Sequence, residues 1–263
     1  MYFLLKNKYA YSYDILTETI NNSYLYAISI LNIILKIFNY LFENKIIQIK
    51  ENIKNKNYHL IKLEDKIINL FKLLLIINIF LGITSDAIWT IIFNNDNGYI
   101  LYMFSNLLIF YVLYDFIVKI SLDIIDNKKI YLSLILGLTL KLILIVPLTN
   151  IIYRFGNNLL YGDMLSNIIS YIFVIILLLK SNNDKYKIDF IKKFDKILNI
   201  IYYSIILCII LLLFTLIIPV SVNNRFDATK VVIIYLIITI IYILIRKKMY
   251  KNERINVKNR KQN

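Results

Sequence analysis

Apolar residues run through this chain in seven long blocks, which short polar or charged segments separate from one another. A helix needs about 20 consecutive apolar residues to cross the hydrocarbon core of a bilayer. Each block is near that length, so we predict an all-α, polytopic membrane bundle of about seven transmembrane helices between an N-terminal segment (1–23) and a C-terminal tail (246–263). The predicted spans, named A to G, cover residues 24–42, 67–93, 99–120, 130–153, 159–179, 197–220 and 226–245.

Span A is the most polar of the seven. Its interruptions, Asn32, Lys36 and Asn39, are three or four residues apart and therefore form one stripe down a helix that is apolar elsewhere. Such a stripe is typical of a helix that has one side turned away from the lipid.

The distribution of positive charge predicts the orientation of the bundle. Most of the 31 lysines and arginines lie in four segments, which alternate with segments that hold few: 43–66, 121–129, 180–196 and 246–263. The positive-inside rule makes these four segments cytoplasmic. We therefore expect the N-terminus outside and the C-terminus inside, as an odd number of spans requires.

Composition agrees with a membrane protein. Hydrophobic residues make up 59% of the chain, charged residues 18%, and the mean hydropathy is +0.64. The net charge of +14 does not indicate nucleic acid as a partner, because the sequence has no soluble domain with a basic face and stacking aromatics. The expected environment is the lipid bilayer of the cytoplasmic membrane.

Two of the predicted cytoplasmic segments show helical spacing of apolar residues, with lysines on the other faces. The lysines expected at the anionic membrane surface are Lys45, Lys50 and Lys54 in the first segment and Lys192 and Lys193 in the second. Ordinary positive-inside loops without a lipid-recognition role explain the same pattern more simply.

Motifs for catalysis and metal binding are absent from the sequence. It has no GxSxG, HExxH, glycine-rich phosphate loop or paired acidic motif, and its one histidine, His59, has no cysteine or second histidine nearby. We expect neither an enzyme nor a metal or cofactor site, while coupling to an ion or to the membrane potential stays open.

Lys141 lies near the middle of span D, about 16 Å of helix from the nearer end at roughly 1.5 Å per residue. A lysine cannot bring its charge to water from that depth, and charged residues inside spans usually face a bundle interior or a wet cavity. Other spans hold a few ionisable residues as well. The candidates for a substrate cavity are Lys36 in span A, Asp86 in span B, Asp115 in span C and Lys141 in span D.

Ion pairing is the alternative explanation for these charges. Asp115 and Lys119 are four residues apart, so they share a helix face and can neutralise each other. Asp86 is either a partner for Lys141 or a proton or ion site. Lys141 either faces a cavity or belongs to a buried ion pair, and both arrangements keep it away from lipid.

Residues 137–180 resemble part of a known family. They read GLTLKLILIVPLTNIIYRFGNNLLYGDMLSNIISYIFVIILLLK. The MurJ-like lipid II and polysaccharide flippases similarly have a Gly-Leu-x-x-Lys helix ending in Pro-Leu, a short outer loop, a Tyr-Gly pair and a helix with an Ile-x-x-Tyr pattern. The run from Asp126 to Lys129 resembles the loop before that helix, and Ile218-Pro219 followed by Arg225 resembles the loop before the last span.

The resemblance implies a transport function. Members of the family have about fourteen spans in two lobes, which rock to move a lipid-linked sugar. Spans A to G correspond to the second lobe, so the expected partner is a separate N-terminal lobe or a second copy of the chain. Lys36 and Lys141 would attract the pyrophosphate of a lipid-linked oligosaccharide or lipid II.

Two other functions stay open. The chain is alternatively a non-transporting flippase remnant or membrane interaction protein, whose charges only pair with one another. A drug or ion exporter of the same superfamily is the third possibility.

Overall fold

The computed structural model describes residues 14–54, 63–94, 98–122, 125–154, 160–186, 194–220 and 224–260. Every regular element within these ranges is an α-helix, which confirms the predicted all-α class. The helices are α1 (Asp14–Lys54), α2 (Leu63–Ile83), α3 (Ser85–Phe93), α4 (Tyr99–Ser121), α5 (Asn127–Arg154), α6 (Leu160–Tyr186), α7 (Phe194–Thr215) and α8 (Arg225–Arg260).

Six helical segments are long and apolar enough to cross a membrane, as expected for a multi-pass membrane protein. They overlap the predicted spans B to G and cover Asp65–Ile83, Tyr99–Ser121, Asn127–Ile152, Tyr161–Ser181, Asp195–Thr215 and Arg225–Lys248. Span A lies within α1 and is not among these six. The count of seven and the orientation of the termini stay predictions.

Span B is two helices in the structure. The sequence predicts one helix over 67–93, but α2 ends at Ile83 and α3 begins at Ser85. The hydroxyl of Thr84 donates to the backbone oxygen of Phe80 at 2.7 Å, and that of Ser85 donates to Gly82 at 3.1 Å. Such side-chain bonds compete with the helical ladder and are a common cause of a bend.

Helix α1 is longer than span A. It continues without interruption to Lys54, whereas the sequence predicts a separate surface helix within 43–66. At about 1.5 Å per residue its 41 residues reach roughly 60 Å, about twice the hydrocarbon thickness. Ile46 and Ile49 are buried in the bundle core, so this part of α1 packs against protein.

Helix α4 stands at the centre of the fold. It packs against α1, α2, α3 and α6, and it is the most buried of the six candidate spans. Buried side chains form a main cluster around α4 that includes Phe104, Leu108 and Phe116. A second cluster joins α2, α3, α7 and α8 and is named here the apolar layer; its buried members are Ile76, Ala87, Leu207, Leu211, Ala228, Val231 and Tyr235.

Candidate functional site

A cavity of about 660 Å³ lies between α2, α7 and α8, at the end of the bundle predicted to face the cytoplasm. We call it the basic cavity, because four basic side chains and one carboxylate line it, an excess of three positive charges. These residues are Asp65, Lys72, Lys196, Arg246 and Lys247, and the amides of Asn69 and Asn199 add further polar groups. The dimensions are those of a site for a drug-sized ligand.

The Tyr203 ring contacts Arg246 in this cavity, and Tyr242 links the two helices beside it. Its guanidinium carbon lies 3.8 Å from the centre of the Tyr203 ring, a cation–π contact. The hydroxyl of Tyr242, one turn before Arg246 on α8, donates to the backbone oxygen of Tyr203 at 2.6 Å and ties α8 to α7. A guanidinium group also forms the paired hydrogen bonds with which arginine binds phosphate oxygens.

The other charges of the basic cavity leave it positive. Lys196 Nζ lies 2.9 Å from Asp65 Oδ1, which offsets one cation. Lys72 projects from α2 into the same cavity as Arg246 on α8. Cations gathered within one cavity repel one another, so an anion that enters between them is electrostatically favoured.

A second cavity of about 620 Å³ lies between α2, α3, α4 and α7. We call it the polar cavity, because Asn78, Asp86, Ser105, Asn106 and Thr215 are among its lining residues. Asn78 Nδ2 donates to Asn106 Oδ1 at 3.1 Å, while Asn78 Oδ1 is buried and has no hydrogen-bond partner within the described ranges. A buried amide oxygen of this kind favours a polar ligand or water in the cavity.

Asp86 is the one predicted cavity residue that lines either of these two cavities. It belongs to the first turn of α3 and lies against Gly98, the residue before α4; a Cβ on Gly98 would overlap the Asp86 carboxylate and backbone. The carboxylate therefore lies near the start of two helices, where partial positive charge stabilises it. This contact gives Asp86 a structural role beside any role in binding.

The two cavities follow one another along α2 and α7. On α2, Lys72 lines the basic cavity and Asn78 the polar cavity; on α7, Tyr203 lines the first and Leu212 the second. The apolar layer lies beside both cavities: Ile76 also lines the basic cavity, and Leu211 is the neighbour in sequence of Leu212, which lines the polar cavity. The arrangement places two polar chambers at successive levels of the bundle.

Lys141 pairs with Asp163 and not with Asp86. Its Nζ lies 3.6 Å from Asp163 Oδ1 across the contact between α5 and α6. The side chains are 21% and 9% exposed, so the charges are largely withdrawn from the surface. Of the two arrangements that the sequence left open for Lys141, the structure has the ion pair.

The pairing of Asp115 with Lys119 is present in the structure. Lys119 Nζ lies 2.6 Å from Asp115 Oδ2 and donates to Asn39 Oδ1 at 2.7 Å. Through Asn39, part of the polar stripe of span A joins α1 to α4. Lys36, from the same stripe, is exposed.

Five lysines were expected at the membrane surface. Lys50 is half-buried on α1 and Lys45 and Lys54 belong to the same helix, although the side chains of these last two are not described. Lys192 and Lys193 lie outside the described residues. The role of all five stays a prediction.

Sequence reasoning missed the residues of the basic cavity. Lys72 lies near the predicted cytoplasmic end of span B, where a lysine can extend its charge to the nearer surface, and Arg246 and Lys247 begin the tail that predicts the orientation. The available signal was that Lys72, Lys196 and Arg246 all lie at the predicted cytoplasmic ends of spans. Their convergence depends on how α2, α7 and α8 pack.

Comparisons of the chain with protein-family models, curated proteins and solved structures found no significant match.

Proposed function

We propose that the protein is a membrane transporter for an anionic lipid-linked substrate, and that it acts as half of a flippase for a lipid-linked oligosaccharide or a peptidoglycan precursor. The observation that carries the proposal is the basic cavity, where an excess of three positive charges is gathered at one end of an apolar helix bundle. Phosphate or pyrophosphate groups of the substrate bind Lys72 and Arg246. Its isoprenoid chain remains in the surrounding lipid.

The arrangement of the cavities supports transport over simple binding. Alternating access needs chambers on the two sides of a barrier that can be opened in turn. The basic cavity and the polar cavity lie at successive levels of α2 and α7, and both helices line both cavities. Movement of α7 and α8 relative to α2 would open one chamber as it closes the other.

A partner completes the transporter. In this proposal a second lobe, separately encoded or supplied by a second copy of the chain, faces the bundle and encloses the sugar. Large apolar side chains are exposed on α5, α7 and α8, including Ile143, Leu213 and Leu244, and these surfaces face lipid or that partner.

Replacement of Arg246 by glutamine tests the binding site. Arg246→Gln removes a charge-assisted contact to phosphate and should weaken binding of a polyprenyl pyrophosphate by about tenfold or more. The measurement is a titration of the protein in nanodiscs. Lys230→Gln is the matched control, because Lys230 is an exposed cation near the start of α8 that pairs with Asp227 at 3.2 Å. Equal affinity of the two variants would exclude the basic cavity as the substrate site.

Two ion pairs favour the alternative, a non-transporting membrane interaction protein. Lys141–Asp163 and Asp115–Lys119 each join oppositely charged side chains, as expected where charges within spans only stabilise the bundle. The third possibility, export of a drug or an ion, would use Asp86 in the polar cavity. Flux of the labelled lipid in reconstituted vesicles distinguishes both from the flippase.

A further inference from the structure

A row of buried polar side chains runs along α6. Asp163, Ser166, Asn167 and Ser170 are all buried, and their spacing places them on one side of the helix. Ser166 Oγ and Asn167 Nδ2 donate to the backbone oxygen of Asp163 at 2.7 and 2.8 Å, and Ser170 Oγ donates to that of Gly137 at 2.7 Å. A hydroxyl oxygen that donates in this way can still accept a hydrogen bond.

Three tyrosines, one on α6 and two on α4, lie beside this row. Tyr171 follows Ser170, and its ring centre lies 5.5 Å from that of Tyr111 and 4.8 Å from that of Tyr114. The rings of Tyr111 and Tyr114 are 6.4 Å apart. Each phenol can donate and accept a hydrogen bond.

An ion pair stands at each end of this row. At one end Asp163 lies 3.6 Å from Lys141, and at the other Asp115, the residue after Tyr114, lies 2.6 Å from Lys119. Both carboxylates are in segments that can cross a membrane, where ionisable groups are expensive and typically mark a pathway for ions or protons.

The row and the tyrosines extend over more than half of a bilayer core. Because α5 returns between them, α4 and α6 run in the same direction. Eight residues separate Asp163 from Tyr171, about 12 Å of helix, and four separate Tyr111 from Asp115, about 6 Å. The two stretches meet at the tyrosines and together cover about 18 Å of a hydrocarbon core of about 30 Å.

We infer that this row is a proton pathway across the membrane. A proton that binds the Asp163 carboxylate passes along hydroxyl groups and bridging water to the Asp115 carboxylate, or in the opposite direction. Each hydroxyl accepts one proton and releases another, so every group returns to its starting state. Lys141 and Lys119 fix the positions of the two carboxylates. The pathway uses no residue of the basic cavity and does not depend on the proposed function.

Proton flux into vesicles tests the inference. The full chain is reconstituted with a trapped pH-sensitive dye, and a potassium diffusion potential is imposed with valinomycin. The protein should acidify the vesicle interior faster than protein-free vesicles do. Tyr171→Phe keeps the ring and removes only the hydroxyl, and it should slow the flux by about tenfold or more. Asp163→Asn should have the same effect.

Tyr131→Phe is the matched control, because Tyr131 is 61% exposed on α5 and lies outside the row. It should leave the flux unchanged. Thermal unfolding of each variant in detergent shows whether it folds, and the Tyr171 variant is the decisive one because it preserves the packing. Flux equal to that of empty vesicles, or an unchanged flux in Tyr171→Phe, would overturn the pathway and leave the polar row with a packing role only.

Discussion

The ion pair between Lys141 and Asp163 makes each residue dependent on the other. A charge that loses its partner in apolar surroundings retains its desolvation cost, whereas removal of both charges leaves two apolar side chains that can pack. The pair is mostly withdrawn from solvent, at 21% and 9% exposure. Its members should therefore behave non-additively when they are replaced.

A double-mutant cycle measures this dependence. Asp163→Leu alone should lower the free energy of unfolding by about 3–5 kcal/mol, because it leaves the Lys141 ammonium without the carboxylate that pairs with it. The double variant Lys141→Leu/Asp163→Leu should recover most of that loss. Thermal or denaturant unfolding in detergent provides the comparison, and Lys36→Leu serves as a control at an exposed lysine. Strictly additive effects would mean that the two charges do not interact.

Spacing along one helix predicts some pairs and not others. Asp115 and Lys119 lie four residues apart, and helical geometry alone brings them together, as the structure confirms. Lys141 and Asp163 lie on different helices, and their contact depends on the register between α5 and α6. Sequence reasoning therefore found Lys141 from its depth in a span but could not identify its partner.

Helices α5 and α6 approach closely at Gly162, where a Cβ would overlap the Thr149 backbone, and also at Gly137. A Cβ at Gly137 would overlap Cγ2 of Val174, and the Gly137 backbone oxygen accepts the hydroxyl of Ser170. Close helix approach at small residues is typical of membrane bundles, where backbone proximity strengthens packing. The same contact holds the polar row of α6 against α5.

Gly137→Ala should therefore destabilise the protein although alanine is the better helix former. Overpacking costs about 1–3 kcal/mol, more than the gain of about 1 kcal/mol from helix propensity. Gly82→Ala is the matched control, because a Cβ there would meet Tyr102 at an ordinary 3.4 Å. Val174→Ala should relieve the defect of Gly137→Ala when the two are combined. Unfolding temperatures in detergent rank the stabilities of these variants. A Gly137→Ala variant as stable as the original protein would argue against close approach of α5 and α6.

Helix boundaries illustrate a second limit of sequence reasoning. Hydropathy located spans B to G, but it gave no sign that span B divides at Thr84 or that α1 continues to Lys54. The first depends on hydroxyl groups that bond to the preceding turn, and the second on Ile46 and Ile49 meeting the main cluster. Hydropathy averaged over a window of residues cannot detect either kind of contact.

At the scale of the molecule, the proposed transport function would take its direction from the two cavities. The basic cavity lies at the predicted cytoplasmic end, where lysines and arginines are concentrated, and the polar cavity lies further along α2 and α7. A substrate with phosphate groups made in the cytoplasm would meet the positive chamber first. This sequence of events depends on the predicted orientation, which can be measured independently.

Cys208, the one cysteine of the chain, lines the polar cavity and can report that orientation. If the polar cavity faces outward, a membrane-impermeant maleimide should label Cys208 in right-side-out vesicles and not in inverted ones. The control moves the thiol one turn along α7, to buried Ser204, in the variant Cys208→Ser/Ser204→Cys, which should react from neither side. Mass spectrometry measures the labelled fraction. Labelling of Cys208 from the inverted side alone would reverse the topology and place the basic cavity outside, where it could not receive a cytoplasmic substrate.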